Sequence, residues 1–163
     1  MSANEFSVGT RLSGRSRTIT ESDIVSFAAI TGDWHPQHVD AEWAADSRFG
    51  ERIAHGMLVL SYSVGLIGFD PNRVVALRGI DSLTFKRPVA IGETIHAEAD
   101  VEELRPIDDE HELVVLRWRV LGADDRVAIR ARITIVHRPE GSDPVRKGSD
   151  PLEDALYTER VLL

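Results

Sequence analysis

The sequence predicts an α+β domain in which one curved antiparallel sheet wraps a single central helix. Two observations predict it. Residues Gly56 to Gly68 are apolar nearly all the way round, through Met57, Leu58, Val59, Leu60, Tyr62, Val64, Leu66 and Ile67, and a helix without a polar face is surrounded by protein. Everything after that helix alternates apolar and polar residues with period two, as half-buried strands do. A helix buried on every side needs a sheet that curls about it.

Thr18-Ile19-Thr20-Glu21-Ser22-Asp23 opens the first helix. Thr20 suits the N-cap, and acids in the first turn favour the helix dipole. Ile24, Phe27 and Ala28 form one apolar stripe, and Gly32 can end the helix in a left-handed conformation. Asp33 to Asp40 then reads as a loop and Ala41 to Phe49 as a short helix. Beyond the central helix, Val74–Ile80 and Ser82–Arg87 are strand candidates. Ile95, Ala97, Ala99 and Val101 share one face of a further strand; Val114, Leu116, Trp118 and Val120 share another. Val127, Ile129, Ala131, Ile133 and Ile135 share the next, after a hairpin turn at Gly122-Ala123-Asp124-Asp125. On the opposite faces, Glu98, Asp100 and Glu102 stand to pair across strands with Arg117, Arg119, Arg130 and Arg132. Residues 1–138 therefore read as one domain. Residues 139–163 read as a flexible linker, in which Gly-Ser-Asp-Pro occurs twice, and a C-terminal tail.

Composition narrows the function classes. The chain has 163 residues, 42% hydrophobic and 28% charged, the balance of a globular protein. A net charge of −8 disfavours nucleic acid and anionic membranes as partners. There is no cysteine, which excludes disulfides and thiolate zinc sites and fits a reducing cytoplasm. The first residues carry no basic and apolar leader. The longest apolar stretch, Met57 to Phe69, is too short to span a bilayer. Phosphate-binding loops of the GxGxxG or GxxxxGK type and a GxSxG elbow are absent.

The chemistry concentrates in Asp33-Trp34-His35-Pro36-Gln37-His38 and Ile53-Ala54-His55-Gly56-Met57. An ordinary aspartate is a weak base, and burial would strengthen it by disfavouring the charged form. His38 is suited to moving a proton near neutral pH. Pro36 restrains the turn between them. Gly56 allows a ligand to approach the backbone closely. At a helix N-terminus its amide has no helical partner and lies at the positive end of the dipole. An amide there can stabilise negative charge on a carbonyl oxygen. Acceptor, donor and oxyanion amide together suit adding water to a double bond beside a carbonyl. His35, His38, His55, Asp33 and Asp40 have ligand chemistry, but their placement around a proline does not give one helix face, so no metal is expected.

Thr20-Glu21-Ser22-Asp23-Ile24, Thr31 to Asp40, Ile53 to Leu58 and Leu83 to Thr94 together resemble the MaoC-like dehydratases, which include the (R)-specific enoyl-CoA hydratases. The resemblance runs from about residue 8 to 137. It implies a hotdog fold, a homodimer or higher homo-oligomer, and an acyl-CoA substrate with no other cofactor. It implies Asp33 and His38 as the catalytic pair and the Gly56 amide as the thioester oxyanion donor. His35 stands where the hydratases often have Asn, and with His55, Ser61 and Arg87 it forms the expected substrate-binding set. Ser63 is an alternative to Ser61. Arg48, Arg52, Lys86 and Arg87 are candidates for the CoA phosphates. The same fold also serves thioesterases and non-catalytic acyl-thioester-binding subunits, but the Asp33/His38 pair favours the hydratase.

Overall fold

A computed structural model of the chain describes residues 6–141. Chain order is β1 (Arg11–Thr18), α1 (Glu21–Thr31), α2 (Pro36–Val39), α3 (Ala41–Ala45), α4 (Gly56–Leu66), β2 (Val74–Phe85), β3 (Thr94–Pro106), β4 (Glu112–Gly122) and β5 (Val127–His137). The strands form one five-stranded sheet in the order β1-β3-β4-β5-β2, with every pairing antiparallel. The α+β expectation of a sheet packed on a central helix holds. The expected linker and tail lie, from residue 142 onward, outside the described residues.

Period two explains the register. Ala97, Ala99, Val101, Leu116, Trp118, Val120, Ile129, Ala131, Ile133 and Ile135 alternate inward and form the core with Leu58, Val59 and Leu60 of α4. Trp118 is fully buried, and its indole N–H donates to Ser63 Oγ at 3.0 Å. Ser63 is thereby a core residue, satisfied a second time by donating to the Leu60 carbonyl. The outward faces carry the predicted charge pairs: Arg119 reaches Glu98 and Asp100, while Arg117 and Arg132 share Glu102. Arg130 has no such pair among the described residues.

The structure departs from the sequence reading at four places. The strand β1 had no clear alternation, because only Leu12 of its eight residues is buried. The two candidate strands before and after Asp81 are one strand, which passes through Ser82 at φ 52° with a register irregularity between Asp81 and Thr84. Pro36–Val39 forms a short helix inside the expected loop, and the helix expected over 41–49 stops at Ala45. Finally, α4 is not covered all round in the single chain. Met57, Ser61 and Gly65, four residues apart, form an exposed stripe.

Helix α1 is fixed as predicted. Thr20 accepts from the Asp23 amide, Asp23 returns a bond to the Thr20 amide, and Gly32 ends the helix at φ 77°. Asp23 also joins the core elements: Tyr62 donates to it at 2.7 Å and Arg17 at 2.7 Å, and the Arg17 guanidinium lies 4.0 Å over the Tyr62 ring. No helix among the described residues is long and apolar enough to cross a membrane.

Candidate active site

Two short connections bring the site together. Pro36 at the first turn of α2 sets a helix-compatible φ, and the imidazole of His35 caps that helix by accepting from the Gln37 amide at 3.2 Å. One turn on, His38 points inward and is buried. The segment before α4 is pinned by an Ala54 amide bond to the Val89 carbonyl at 2.8 Å and by the Ile53–Ala90 bridge. The same segment offers the Ile53 carbonyl to His38 Nδ1 at 2.7 Å. A carbonyl only accepts, so Nδ1 carries the proton and Nε2 keeps its lone pair. Burial pushes the His38 pKa below its ordinary value, and the neighbouring His55 pushes the same way. The bond to Ile53 and the charge of Asp33 oppose this without reversing it.

The cavity beside His38 has a volume of about 380 Å³ and is lined by His38, Gly56, Met57, Phe49, Phe85 and Ile129 among others. His55 caps α4 without a side-chain bond to its amides, so the first amides of the helix, Gly56 included, have neither an intrahelical partner nor a side-chain cap. They sit at the positive end of an 11-residue helix. Phe85 covers Gly56 closely: a Cβ there would stand 2.6–2.7 Å from atoms of its ring, so any larger residue displaces that ring.

The Asp33 side chain is half exposed, with 54% of its surface open to solvent. Its Oδ1 accepts from the His35 amide, which orients the carboxylate back over the turn. Asp33, His38 and His55 each bring one possible ligand atom to within 4.8 Å of the others. The His38 and His55 rings, however, are stacked, with centroids 3.8 Å apart and planes 27° apart. Lone pairs lying in two stacked planes do not converge on one centre as tetrahedral zinc requires.

The expected substrate-binding set divides. His35 is spent on the α2 cap. Ser61 donates to the Met57 carbonyl on the exposed side of α4. His55 is 3% exposed and bonds the Asp33 main chain. Arg87 lines the cavity, but its guanidinium is held by Glu93 at 2.5 Å and Asp124 at 3.6 Å. Arg52 is paired with Glu21 at 2.7 Å. That leaves Arg48 and Lys86, both lining the cavity, with no ion pair among the described residues. The reading missed Ile53, whose contribution is a main-chain oxygen with no signature in side-chain types. It also missed Phe85 as the cover of Gly56, although Phe85 lies within the segment that carried the resemblance.

An uncapped helix N-terminus, a histidine of fixed tautomer and an adjacent carboxylate thus meet in one sheet-and-helix frame, the arrangement that suits hydratase and dehydratase chemistry. Residues 4–119 match the family described as MaoC like domain, and the chain belongs to that family. It is 31% identical to the (R)-specific enoyl-CoA hydratase of Aeromonas caviae over 136 residues, covering 83% of this chain and 98% of the relative. To the Protein MaoC of Klebsiella aerogenes it is 43% identical over 94 residues, which is 56% of this chain and only 28% of that much longer relative. A Mycobacterium tuberculosis protein described as a double hotdog overlays with a TM-score of 0.76 at 20% identity, covering 93% of this chain and 50% of the other. The fold is the hotdog.

Proposed function

We propose that the chain is a hydro-lyase that adds water reversibly to a trans-2-enoyl-CoA, giving a (3R)-3-hydroxyacyl-CoA. The observation that carries this reading is the His38 tautomer: its Nδ1–H is committed to Ile53, so Nε2 is an acceptor beside the Asp33 carboxylate. A water held between them loses a proton to this pair as its oxygen bonds to C3. The π electrons move onto the thioester oxygen, where the Gly56 amide stabilises the charge. The proton returns to C2, and no redox change occurs. No cofactor beyond the CoA of the substrate enters this chemistry. Arg48 and Lys86 are the cations left to meet the CoA phosphates.

The hydratase name of the Aeromonas caviae relative supports the reading. A homodimer belongs to the same proposal, since Trp34, Met57 and Phe85 stand exposed around the site. The test is loss of enoyl-thioester absorbance across trans-2-enoyl-CoA substrates of increasing length, with free CoA thiol followed in parallel. Thiol release without loss of the double bond would make the chain a thioesterase; no turnover of any chain length would overturn the proposal.

A further inference from the structure

The catalytic pair is built on two different footings. His38 is on α2, while Asp33 is on the turn before it, and the Asp33 side chain is half exposed with only the His35 amide to orient it. The Asp33 amide donates to Thr31 Oγ1 at 3.3 Å, which ties the Asp33 backbone to the end of α1 but not to the His38 ring. His55 meets both. Its Nε2 lies 3.0 Å from the Asp33 main-chain oxygen, and since a carbonyl accepts, Nε2 carries the proton. The same nitrogen is 3.9 Å from Asp33 Oδ2. The His55 ring stacks on His38, and Phe27 of α1 packs against it with centroids 5.1 Å apart. The other ring nitrogen, Nδ1, is buried and has no hydrogen-bond partner among the described residues. Neither His55 nor Asp33 lines the cavity itself; His55 is buried behind His38, whereas the Asp33 side chain is half exposed at the turn.

We propose that His55 is a positioning residue: by stacking on His38 and donating to the Asp33 carbonyl, it holds the two catalytic side chains in register without touching substrate. The geometry accounts for the residue type. A flat ring is needed to stack on His38 with Phe27 tilted against it, and a donor is needed on its edge to reach Asp33. Phenylalanine supplies only the ring, and glutamine only the donor. The residue also starts α4, so one side chain ties the carboxylate, the imidazole and the Gly56 amide to a common frame.

The kinetic half of this inference rests on the hydratase reading; the structural half does not. The experiment therefore takes two readouts on the full chain for His55→Phe and His55→Gln. The first is kcat and KM on a trans-2-enoyl-CoA. The second is the NMR titration of the His38 ring, which is faced by Asp33, His35 and His55 and shares its cavity with Arg48 and Lys86. Each variant should lose about 10- to 100-fold in kcat, the scale of a displacement near 1 Å, with KM within about twofold. In both, the His38 titration should shift from its wild-type position, because the neighbouring imidazole that disfavours its charge is gone and the Asp33 carboxylate that favours it is no longer held in place. A raised KM with unchanged kcat would make His55 a substrate contact and overturn the proposal. So would unchanged kcat and an unchanged His38 titration in folded protein. A shifted titration in a chain whose wild type turns over no enoyl-CoA would uphold the clamp and defeat the hydratase reading instead.

Discussion

At the scale of single residues, the site depends on atoms whose alternatives are easily made. Asp33→Asn keeps the shape and removes the basic oxygen; kcat should fall by on the order of 10²–10⁴ in a protein of unchanged melting temperature, and near-normal turnover would remove Asp33 from the mechanism. His38 acts as an acceptor only when neutral. Its pKa lies below the ordinary histidine value because burial and His55 both disfavour the charge. Activity should therefore be lost as pH falls through that lowered value, placing the acid limb of kcat/KM below about 6.5. A limb above that pH would contradict the assigned role. Gly56→Ala sets a methyl group against the Phe85 ring. That ring is 49% exposed, so it yields before the helix does, and it swings along the wall of the cavity it lines. KM should rise several-fold, while kcat falls by less than the roughly 10²–10³ expected for a lost oxyanion donor. Steady-state kinetics on the variant separates the two, and unchanged constants would show that nothing reacts against this amide.

At the scale of elements, β1, α1 and α4 are held together by Asp23. Burial alone would raise its pKa, but bonds from Tyr62, Thr20 and Arg17 outweigh that and hold it well below the usual carboxylate range. A carboxyl depressed in the folded state stabilises the protein above its unfolded pKa of about 3.9 and loses that contribution as pH falls toward the folded value. Tyr62→Phe should cost about 1.5–3 kcal/mol, the range for a hydrogen bond to a charged group. Urea midpoints should separate wild type from variant at pH 7 and draw together below about pH 4; a gap independent of pH would place the effect in packing instead. How far the elements could be read from sequence follows from the same physics. The helix caps and the alternation of β3, β4 and β5 were legible because burial on one face dictates residue type. Strand β1 was not, since a strand with one buried residue carries no period. The Asp33, His38 and Gly56 segments were legible as motifs. The Ile53 carbonyl and the bond from His55 to the Asp33 backbone were not, because main-chain acceptors leave no mark on composition.

At the scale of the whole molecule, the two sheet edges differ. Strand β1 bears Arg11, Arg15 and Arg17 along its length, and charge on an edge strand deters pairing with another chain. Strand β2, twelve residues long, exposes Val75, Leu77 and Phe85 instead, with Leu77 51% exposed. Long apolar edges of this kind are templates for a further strand. Strand β2 also runs directly into Lys86 and Arg87 at the cavity, so a second copy paired there would lie beside the site and near the exposed Trp34 and Met57. The expected assembly is thus a homodimer joined edge to edge through β2. Leu77→Arg carries an unpaired charge into that contact and should weaken association by about 2–5 kcal/mol, roughly 30-fold or more in Kd. Sedimentation velocity across a dilution series should show the wild type as a dimer and the variant dissociating at far higher concentration. A partner paired on β2 would cover the exposed side of the cavity, so enoyl-CoA turnover should fall with the dimer fraction. A Leu77→Arg protein that sediments and turns over as wild type does would exclude this edge as the interface, and a monomeric wild type of full activity would show that one chain completes the site by itself.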